Sequence, residues 1–450
     1  MNTLQKSPLA QHFQLGSLLR FAAPSIGMMI VISLYTVTDG IFIGHFAGSD
    51  ALAASNIVYP AINLVLGLAI MFSAGGSALV AKNLGEGRFK EARRRFSLLT
   101  VTTSALAGLF ALLIFLAGDE LLVLLGSSPA LLADCRSYLY ALLPFYPFAA
   151  LMILFNAFFI ADGRPTQGFI VSVLAGLTNA VLDYVFLAHL GLGITGAGLA
   201  TGMADLLAAG IGLYYFTCSS RLLRFTRPVF ELHALGQVAY NGSSELVTQI
   251  SVGITTFLFN IITFRYAGAD GVAAISVILY AEMLLTAVYM GFIDGVAPIF
   301  SYHFGARAFQ ELLRLIKMSL AVITGFAILS FGLAHILAHP LITLFLPEGG
   351  HVYEITLSGF RLFSFSFLLF CFNMFISGFF TAISDGRTSA LMSFARDLAG
   401  IVLYLLLLPK FLGLTGVWLA VPAADATAFL FGLFLLLSHL HAFRGEQQLS

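Results

Sequence analysis

The sequence is short of charged residues. Only 10% of its 450 residues are Asp, Glu, Lys or Arg, whereas 59% are hydrophobic. Soluble globular chains carry about 25% charged residues, so this composition excludes a soluble globular protein. The 22 basic and 22 acidic side chains give a formal net charge of zero. Nothing in this balance favours nucleic acid as a partner, and none is expected.

Motifs for metal or nucleophilic chemistry are also scarce. The three cysteines have no metal or redox spacing, and neither His-Glu-x-x-His nor Gly-x-Ser-x-Gly occurs. The glycines from Gly191 to Gly196 match a dinucleotide fingerprint, but they connect two apolar segments and follow no strand. We interpret them as a tight turn. A membrane-embedded enzyme is therefore disfavoured, and no cofactor is expected.

Long apolar segments dominate what is present. We count about twelve, each long enough to cross a hydrocarbon core of ~30 Å. They lie near residues 17–45, 52–81, 97–118, 132–160, 168–188, 193–217, 239–266, 272–300, 317–338, 354–382, 390–410 and 414–440. The short alternating runs typical of membrane strands are absent. The sequence predicts an all-α polytopic membrane protein with twelve transmembrane helices.

The distribution of Lys and Arg predicts the orientation. With the N-terminus in the cytoplasm, eighteen of the 22 basic residues fall in inner loops and tails, and only Arg136, Arg265, Arg361 and Lys410 lie on or near the outer side. We therefore expect both termini to be cytoplasmic. The first apolar segment is too long for a signal-peptide core, and no small-residue cleavage site follows it, so we expect it to remain as helix one.

The chain contains an internal repeat with an offset of 220 residues. Ala47-Gly48-Ser49-Asp50 corresponds to Ala267-Gly268-Ala269-Asp270, and Gly193-Ile194-Thr195-Gly196 to Gly413-Leu414-Thr415-Gly416. Such a repeat predicts two homologous six-helix bundles related by an axis along the membrane normal. We place an N-terminal lobe at 1–220, a cytoplasmic linker at 221–238 and a C-terminal lobe at 239–450.

Polar residues that only the first half carries predict a cation site. Asp39, Asn179, Asp183 and Thr201 correspond to Phe259, Ala399, Leu403 and Val421. Asn179 and Asp183 are four residues apart and share a helix face. Counted from the ends of their helices, Asp39, Asp183 and Thr201 all lie roughly 9–12 Å below the outer surface. The carboxylates need a partner at this depth, so we expect one shared pocket.

Acidic residues kept in both halves are interpreted differently. The pairs are Asp50/Asp270, Asp162/Asp385 (with a slip of three residues) and Asp205/Asp425. A residue that both halves retain is expected to serve the common scaffold, as a loop cap or structural polar contact. On this basis Asp205→Asn is expected to be milder than Asp183→Asn.

Two cations fit the expected pocket. Two carboxylates in a low-dielectric site repel each other, and a shared proton would relieve the repulsion. The set Asp39, Asn179, Asp183 and Thr201 could also hold Na⁺ with backbone carbonyls or water. We favour H⁺ as the coupling ion, with Na⁺ as the alternative.

Further residues are candidates for substrate contact or gating: Tyr35, Thr36, Met152, Asn156, Glu245 and Met290. Met152 and Met290 could line an adaptable apolar cavity. Glu245 either acts in substrate release or stabilises the start of its helix. Pro24, which lacks a backbone N–H, is expected to supply a bending point in helix one.

These features resemble the multidrug and toxic compound extrusion (MATE) transporters. The resemblance rests on the two-half plan, Pro24 and Asp39 on helix one, and the segments Ala47–Gly85 and Gly295–Ala306. The first-half polar set is similar to the cation site of the prokaryotic DinF-like and MepA-like branches. Asp294 departs from the family pattern, because an uncharged polar residue is expected there.

The resemblance implies a V-shaped pair of bundles that exports amphipathic, often cationic, compounds in exchange for H⁺ or Na⁺. Its partners would be small organic substrates and the lipids of a prokaryotic plasma membrane, and we expect a monomer. A flippase for lipids or lipid-linked oligosaccharides, on a related fold, remains a second function. It would need a basic cavity, and few Arg or Lys residues are expected inside the membrane.

Overall fold

The computed structural model describes residues 7–343, 346 and 348–449, and the side chains only as far as 439. Within these residues the chain forms helices and no strands, as predicted. The helices of the first half are α1 (Leu15–Phe42), α2 (Ser49–Gly85), α3 (Phe89–Leu116), α4 (Gly118–Leu124), α5 (Leu132–Leu142), α6 (Tyr146–Ala161), α7 (Pro165–Asp183) and α8 (Gly193–Tyr214).

The second half follows the same plan. Its helices are α9 (Leu232–Asn241), α10 (Ser243–Gly305), α11 (Phe309–Ile336), α12 (Ala338–Thr343), α13 (His351–Phe363), α14 (Phe367–Ala382), α15 (Gly386–Ser393), α16 (Ile401–Leu412) and α17 (Leu414–Leu449). Helices α5 and α6 are joined by a 3₁₀ turn at Leu143–Phe145, and α13 and α14 by another at Ser364–Ser366, so each pair makes one long span.

The described residues contain eleven helical segments long and apolar enough to cross a membrane. Helix α10, with 63 residues, is far too long for one crossing. Gly268 lies inside it with φ 60° and ψ −150°, a conformation open to glycine but not to a helix, and joins two helices end to end. Counting α10 as two spans gives the predicted twelve, and the protein is a multi-pass membrane protein.

Stretches of π-helix interrupt or end several spans. Ile43–Ala47 follows α1, Tyr184–His189 follows α7, Tyr215–Ser219 follows α8, and Phe394–Gly400 separates α15 from α16. Such segments are uncommon and concentrate at functional sites. The first two come directly after the helices that carry Asp39 and Asp183.

The connection between the halves is not a free linker. Residues 220–231 are non-helical, and α9 begins within the range predicted as linker. Arg93 of α3 donates a hydrogen bond of 2.8 Å from Nε to the Leu222 carbonyl. The Phe225 ring stacks on Phe96, with 4.9 Å between ring centroids. The segment is thus fastened to the first half, and the lobe boundaries at 220 and 239 stay predictions.

The two halves meet where α2 and α10 end. A Cβ atom on Gly85 would fall on the Tyr302 carbonyl oxygen, and one on Gly305 would fall on the Lys82 carbonyl oxygen. Lys82 and Tyr302, like Gly85 and Gly305, are related by the 220-residue offset. The crossing is therefore a symmetric backbone-to-backbone contact, of the small-residue kind that lets membrane helices approach closely.

The close contact at this crossing leads to a prediction for a substitution that adds one methyl group. Gly85→Ala should lower the thermal unfolding temperature of the detergent-solubilised protein, because the two backbones must separate to admit Cβ. Overpacking of this kind costs about 1–3 kcal/mol. Gly210→Ala on α8 is the matched control, since its Cβ would meet no atom within 4 Å. It should leave the unfolding temperature unchanged or raise it slightly. Equal shifts for both variants would contradict the tight crossing.

Candidate functional site

Asp39 and Asp183 lie against each other inside the first half. Helices α1 and α7 pack together and bring the two carboxyl groups into contact, close enough to share a proton. Asp183 has no exposed surface. No described residue donates a hydrogen bond to Asp39 Oδ1 or to either oxygen of Asp183. Buried carboxylates without donors are stable only with a proton or another cation between them.

Asn179 and Thr201 lie beside this carboxyl pair. Asn179 is one helical turn before Asp183 on α7, and its Nδ2 donates a 3.3 Å hydrogen bond to Thr201 Oγ1 on α8. Its Oδ1 is buried and has no donor among the described residues. The four residues of the predicted cation set thus come from α1, α7 and α8 to one region.

A small cavity of about 10 Å³ opens next to Asn179 and Thr201. Its polar wall is formed by Tyr35, Ser172, Asn179, Thr201 and Asp205, and its apolar wall by Ile32, Met152, Ala175 and Ala204. That is space for about one water molecule, well below the volume of a small-molecule pocket. The cavity thus places polar and apolar side chains next to the predicted cation set.

The remaining predicted contacts divide into two groups. Tyr35 and Met152 line the cavity. Thr36 is exposed and donates to the Ile32 carbonyl at 2.9 Å, a bond within its own helix. Asn156 is buried with Oδ1 unpaired, and Met290 is partly buried on α10, but neither lines the cavity. Glu245 lies in the first turn of α10, far along the chain from this cavity, where Asp294 and Asp397 are its acidic neighbours.

Pro24 lies within α1, which stays helical on both sides of it. The residues on either side of Pro24 pack closely against α10 of the other half. A Cβ on Gly295 would come within 3.1 Å of the Ala22 Cα atom, and one on Gly291 within 2.5 Å of the Ile26 Cα atom. The predicted bending point of α1 therefore lies where α1 packs against the second half.

The interpretation of repeated acids as scaffold holds for Asp162 and Asp425 but is wrong for Asp205. Asp162 accepts hydrogen bonds from the Tyr215 hydroxyl at 2.7 Å and the Ser220 hydroxyl at 2.9 Å. Asp205 makes no hydrogen bond or ion pair with any described residue and instead lines the cavity. Retention in both halves is thus not evidence that a residue has the same role in each.

The sequence reasoning also missed a buried arginine. Arg396 was counted with the inner basic residues, although it falls within the predicted segment 390–410; it is only 7% exposed and lies ten residues into the span that begins at Gly386. Its Nε donates to Asp425 at 2.6 Å, it is also paired with Asp397, and its guanidinium lies 4.2 Å from the centre of the Phe370 ring. The adjacent pair Arg396-Asp397 in an apolar run was the signal that could have revealed it.

Known proteins match this chain in sequence over both of its halves. The sequence model of the MatE family matches residues 24–185 and 246–406, one match in each half. The multidrug export protein MepA of Staphylococcus aureus (strain NCTC 8325 / PS 47) is 22% identical over 439 residues, covering 96% of this chain and 94% of that protein.

Solved structures of other proteins have the same fold as this chain. A crystal structure of MATE in complex with MaL6 superposes with a TM-score of 0.93 at 20% identity, over 99% of this chain and 100% of the other. An outward-facing multidrug resistance MATE family transporter of the MOP superfamily superposes with a TM-score of 0.92, also at 20% identity, over 99% and 100% of the two chains.

The chain therefore belongs to the MATE family of multidrug efflux transporters. That membership places it among transporters, in agreement with the absence of nucleophilic and metal motifs noted in the sequence.

The carboxyl pair predicts the effect of one substitution. Asp183→Asn should reduce ion-coupled export to background, because it removes one of the two carboxyl groups of the predicted cation site while keeping the side-chain volume. Efflux of a fluorescent drug is measured in cells that express equal amounts of each variant. Asp50→Asn, at an exposed position, is the control and should retain export. Near wild-type efflux by Asp183→Asn would refute the assignment of Asp183 to the coupling site.

Proposed function

We propose that the protein is a cation-coupled antiporter that exports amphipathic or cationic compounds by alternating access, with H⁺ as the coupling ion. The contact between the Asp39 and Asp183 carboxyls, beside a cavity within the membrane, carries this proposal. Two carboxylates that close repel each other, so one proton stabilises the pair strongly. Binding of a proton therefore changes the net charge of the pair by one unit inside the membrane-spanning part of the protein.

Helix α1 supplies the link from this charge to the rest of the molecule. Near its outer end it contacts α7 through Asp39 and Asp183, and around Pro24 it packs on Gly291 and Gly295 of α10. Protonation removes the repulsion at one end of α1, while Pro24 leaves the helix free to bend below it. A bend there would alter the contact between the halves, which is the movement that alternating access requires.

Antiport follows when the ion and the substrate favour different states. Asn179 and Thr201 border the carboxyl pair and also line the cavity, so a substrate that enlarges the cavity would act on the same side chains as the ion. A cation in the pocket and a cationic substrate next to it repel each other. Their coupling is reciprocal: each lowers the affinity for the other by the same factor. Proton entry on the outer side would thus favour release of substrate on that side.

The choice of H⁺ over Na⁺ rests on the number of oxygen ligands. A Na⁺ ion would want about five or six oxygens, as other hard cations do. Asp39 and Asp183, the free Oδ1 of Asn179 and the Thr201 hydroxyl provide most of them, and backbone carbonyls or water could complete the shell. A proton needs only the two carboxyls, which already touch. Na⁺ is therefore the alternative coupling ion.

A lipid or lipid-linked oligosaccharide flippase is the second candidate function. Recognition of a pyrophosphate would require cationic side chains free in the cavity. The cavity wall has an acidic residue, Asp205, and Arg396 in the other half is already bound to Asp397 and Asp425. These charges favour a cationic substrate over an anionic one.

We further propose that the protein works as a monomer in the plasma membrane of a prokaryote, surrounded by lipid, with both termini in the cytoplasm. The excess of Lys and Arg in the loops assigned to the inner side supports this orientation. Large apolar side chains on the outside of the helices, such as Leu116, Phe411 and Phe434, are exposed and suit contact with lipid.

Proteoliposomes test the coupling ion. An imposed pH gradient without Na⁺ should drive uptake or release of a cationic dye, and Asp39→Asn should eliminate the response. The same vesicles with a Na⁺ gradient and no pH gradient should show no transport. If transport follows the Na⁺ gradient and ignores the pH gradient, the pocket is a sodium site and the proton assignment is wrong.

A further inference from the structure

The segment that joins the two halves exposes large apolar side chains. It is non-helical from residue 220 to residue 231 and leads into α9. Phe230 and Leu232 are 74% and 73% exposed, and Val229 is 44% exposed. Adjacent apolar groups on a surface indicate that something other than the described residues covers them. We refer to residues 224–232 as the interfacial segment.

Contacts with α3 place the interfacial segment at the edge of the membrane. The Thr226 backbone N–H donates a 2.9 Å hydrogen bond to the Ser97 hydroxyl. Ser97 is eight residues beyond the start of α3 at Phe89, which is ~12 Å along the helix axis. It is also the first residue of the predicted apolar segment 97–118. Thr226 therefore lies where α3 enters the hydrocarbon, and Val229 follows three residues later.

Basic side chains lie next to the interfacial segment. Arg93 of α3 donates a 2.8 Å hydrogen bond from Nη2 to the Arg221 carbonyl, so the first turns of α3 and the joining segment form one surface. No ion pair with a described acidic residue involves the exposed basic side chains of this surface. They are Lys90, Arg94, Arg221, Arg224 and Arg227.

The acidic side chains nearby in the sequence do not offset these charges. Glu86 is 3.3 Å from Arg88, and Glu91 is paired with Arg95, so each already has a basic partner. Between positions 221 and 232 the sequence has a single acidic residue, Glu231. The surface therefore has an excess of positive charge beside apolar side chains at the membrane edge. That combination is typical of segments that lie on an anionic membrane surface.

The repeat shows the equivalent segment when protein covers it. By the 220-residue offset, Pro8-Leu9 corresponds to Pro228-Val229. Leu9 has no exposed surface and belongs to a core cluster formed mainly by α10, α11 and α14. The position of Val229 is thus covered by protein where it precedes α1 and uncovered by the described residues where it precedes α9. At the membrane edge, lipid is available to cover it.

We propose that the interfacial segment docks on the cytoplasmic leaflet of the bilayer and binds anionic phospholipid there. Phe230 and Leu232 enter the boundary between headgroups and acyl chains, and Arg224 and Arg227 donate to headgroup phosphates. Arginine suits this role because its planar guanidinium presents several N–H donors to one phosphate. The proposal depends neither on the coupling ion nor on the transported compound.

The charge of the surface determines which phospholipids bind best. A phosphatidylcholine headgroup has a phosphate and a quaternary ammonium, and therefore no net charge. A phosphatidylglycerol headgroup has a net negative charge, which strengthens binding about fivefold for each basic side chain near the surface. Because Arg93 and Phe225 fasten the same segment to α3, the bound lipid holds the first half at this leaflet.

A tryptophan reporter tests the contact with lipid. The full-length Phe230→Trp variant is reconstituted into phosphatidylcholine vesicles that contain increasing fractions of brominated phosphatidylglycerol or brominated phosphatidylcholine. Bromine on the acyl chains quenches an indole that touches them. Wild type, whose single tryptophan Trp418 is buried, supplies the background. Both brominated lipids should quench the reporter, and phosphatidylglycerol should reach half-maximal quenching at a mole fraction about five- to twenty-fivefold lower.

Two further variants make the result decisive. Arg224→Gln with Arg227→Gln in the reporter protein should bring the two mole fractions together while leaving the quenching by brominated phosphatidylcholine in place. Phe411→Trp, at an exposed position at the far end of α16, is the matched control and should respond equally to both lipids. No quenching of Phe230→Trp by either lipid would place the segment in water. A lipid preference that is absent, or that survives loss of both arginines, would show that they select no headgroup. Each of these results would overturn the proposal, and none bears on ion-driven export.

Discussion

A carboxylate inside the hydrocarbon layer must be neutralised, and this constraint organises both halves of the protein. The cost of leaving one charged there is at least ~3 kcal/mol on insertion scales. In the second half Arg396 pairs with both Asp397 and Asp425 and offsets one of their two negative charges, and Thr248 donates a further hydrogen bond of 2.7 Å to Asp397. In the first half no described basic side chain meets Asp39, Asp183 or Asp205. In the proposed mechanism, exchangeable cations neutralise them.

The two halves therefore have similar folds but differ in how their buried carboxylates are paired. A bound arginine fixes the electrostatics around Asp397 and Asp425, whereas no described basic side chain pairs with Asp39 or Asp183. Removal of one partner from such a buried pair is strongly destabilising, which favours a fixed arrangement. In the proposed mechanism the first half binds an exchangeable cation instead, and α1 transmits the change in charge to α10 through the close contacts around Pro24. Asymmetric chemistry on a symmetric scaffold is the central feature of the molecule.

Much of this could be predicted from the sequence, because apolar length and repeat spacing are local properties. The twelve spans were confirmed once α10 is divided at Gly268, itself part of the repeated Ala-Gly-x-Asp turn. The family resemblance was confirmed as well. The gathering of Asp39 and Asp183 at one depth followed from counting residues along helices. The contacts that Arg93 and Phe225 make between the linker and the first half could not be predicted, because no sequence spacing reveals tertiary contacts.

Asp205 and Arg396 show why the rest of the site could not be predicted. Comparison of the two halves treated a residue kept in both as scaffold, but whether Asp205 and Asp425 have the same role depends on the neighbouring helix. Arg396 satisfies Asp425, and α7 contains no basic residue to do the same for Asp205. The count of Lys and Arg on each side of the membrane misplaced Arg396. An arginine with two carboxylate partners is stable inside a helix bundle, whereas an arginine without a partner is not.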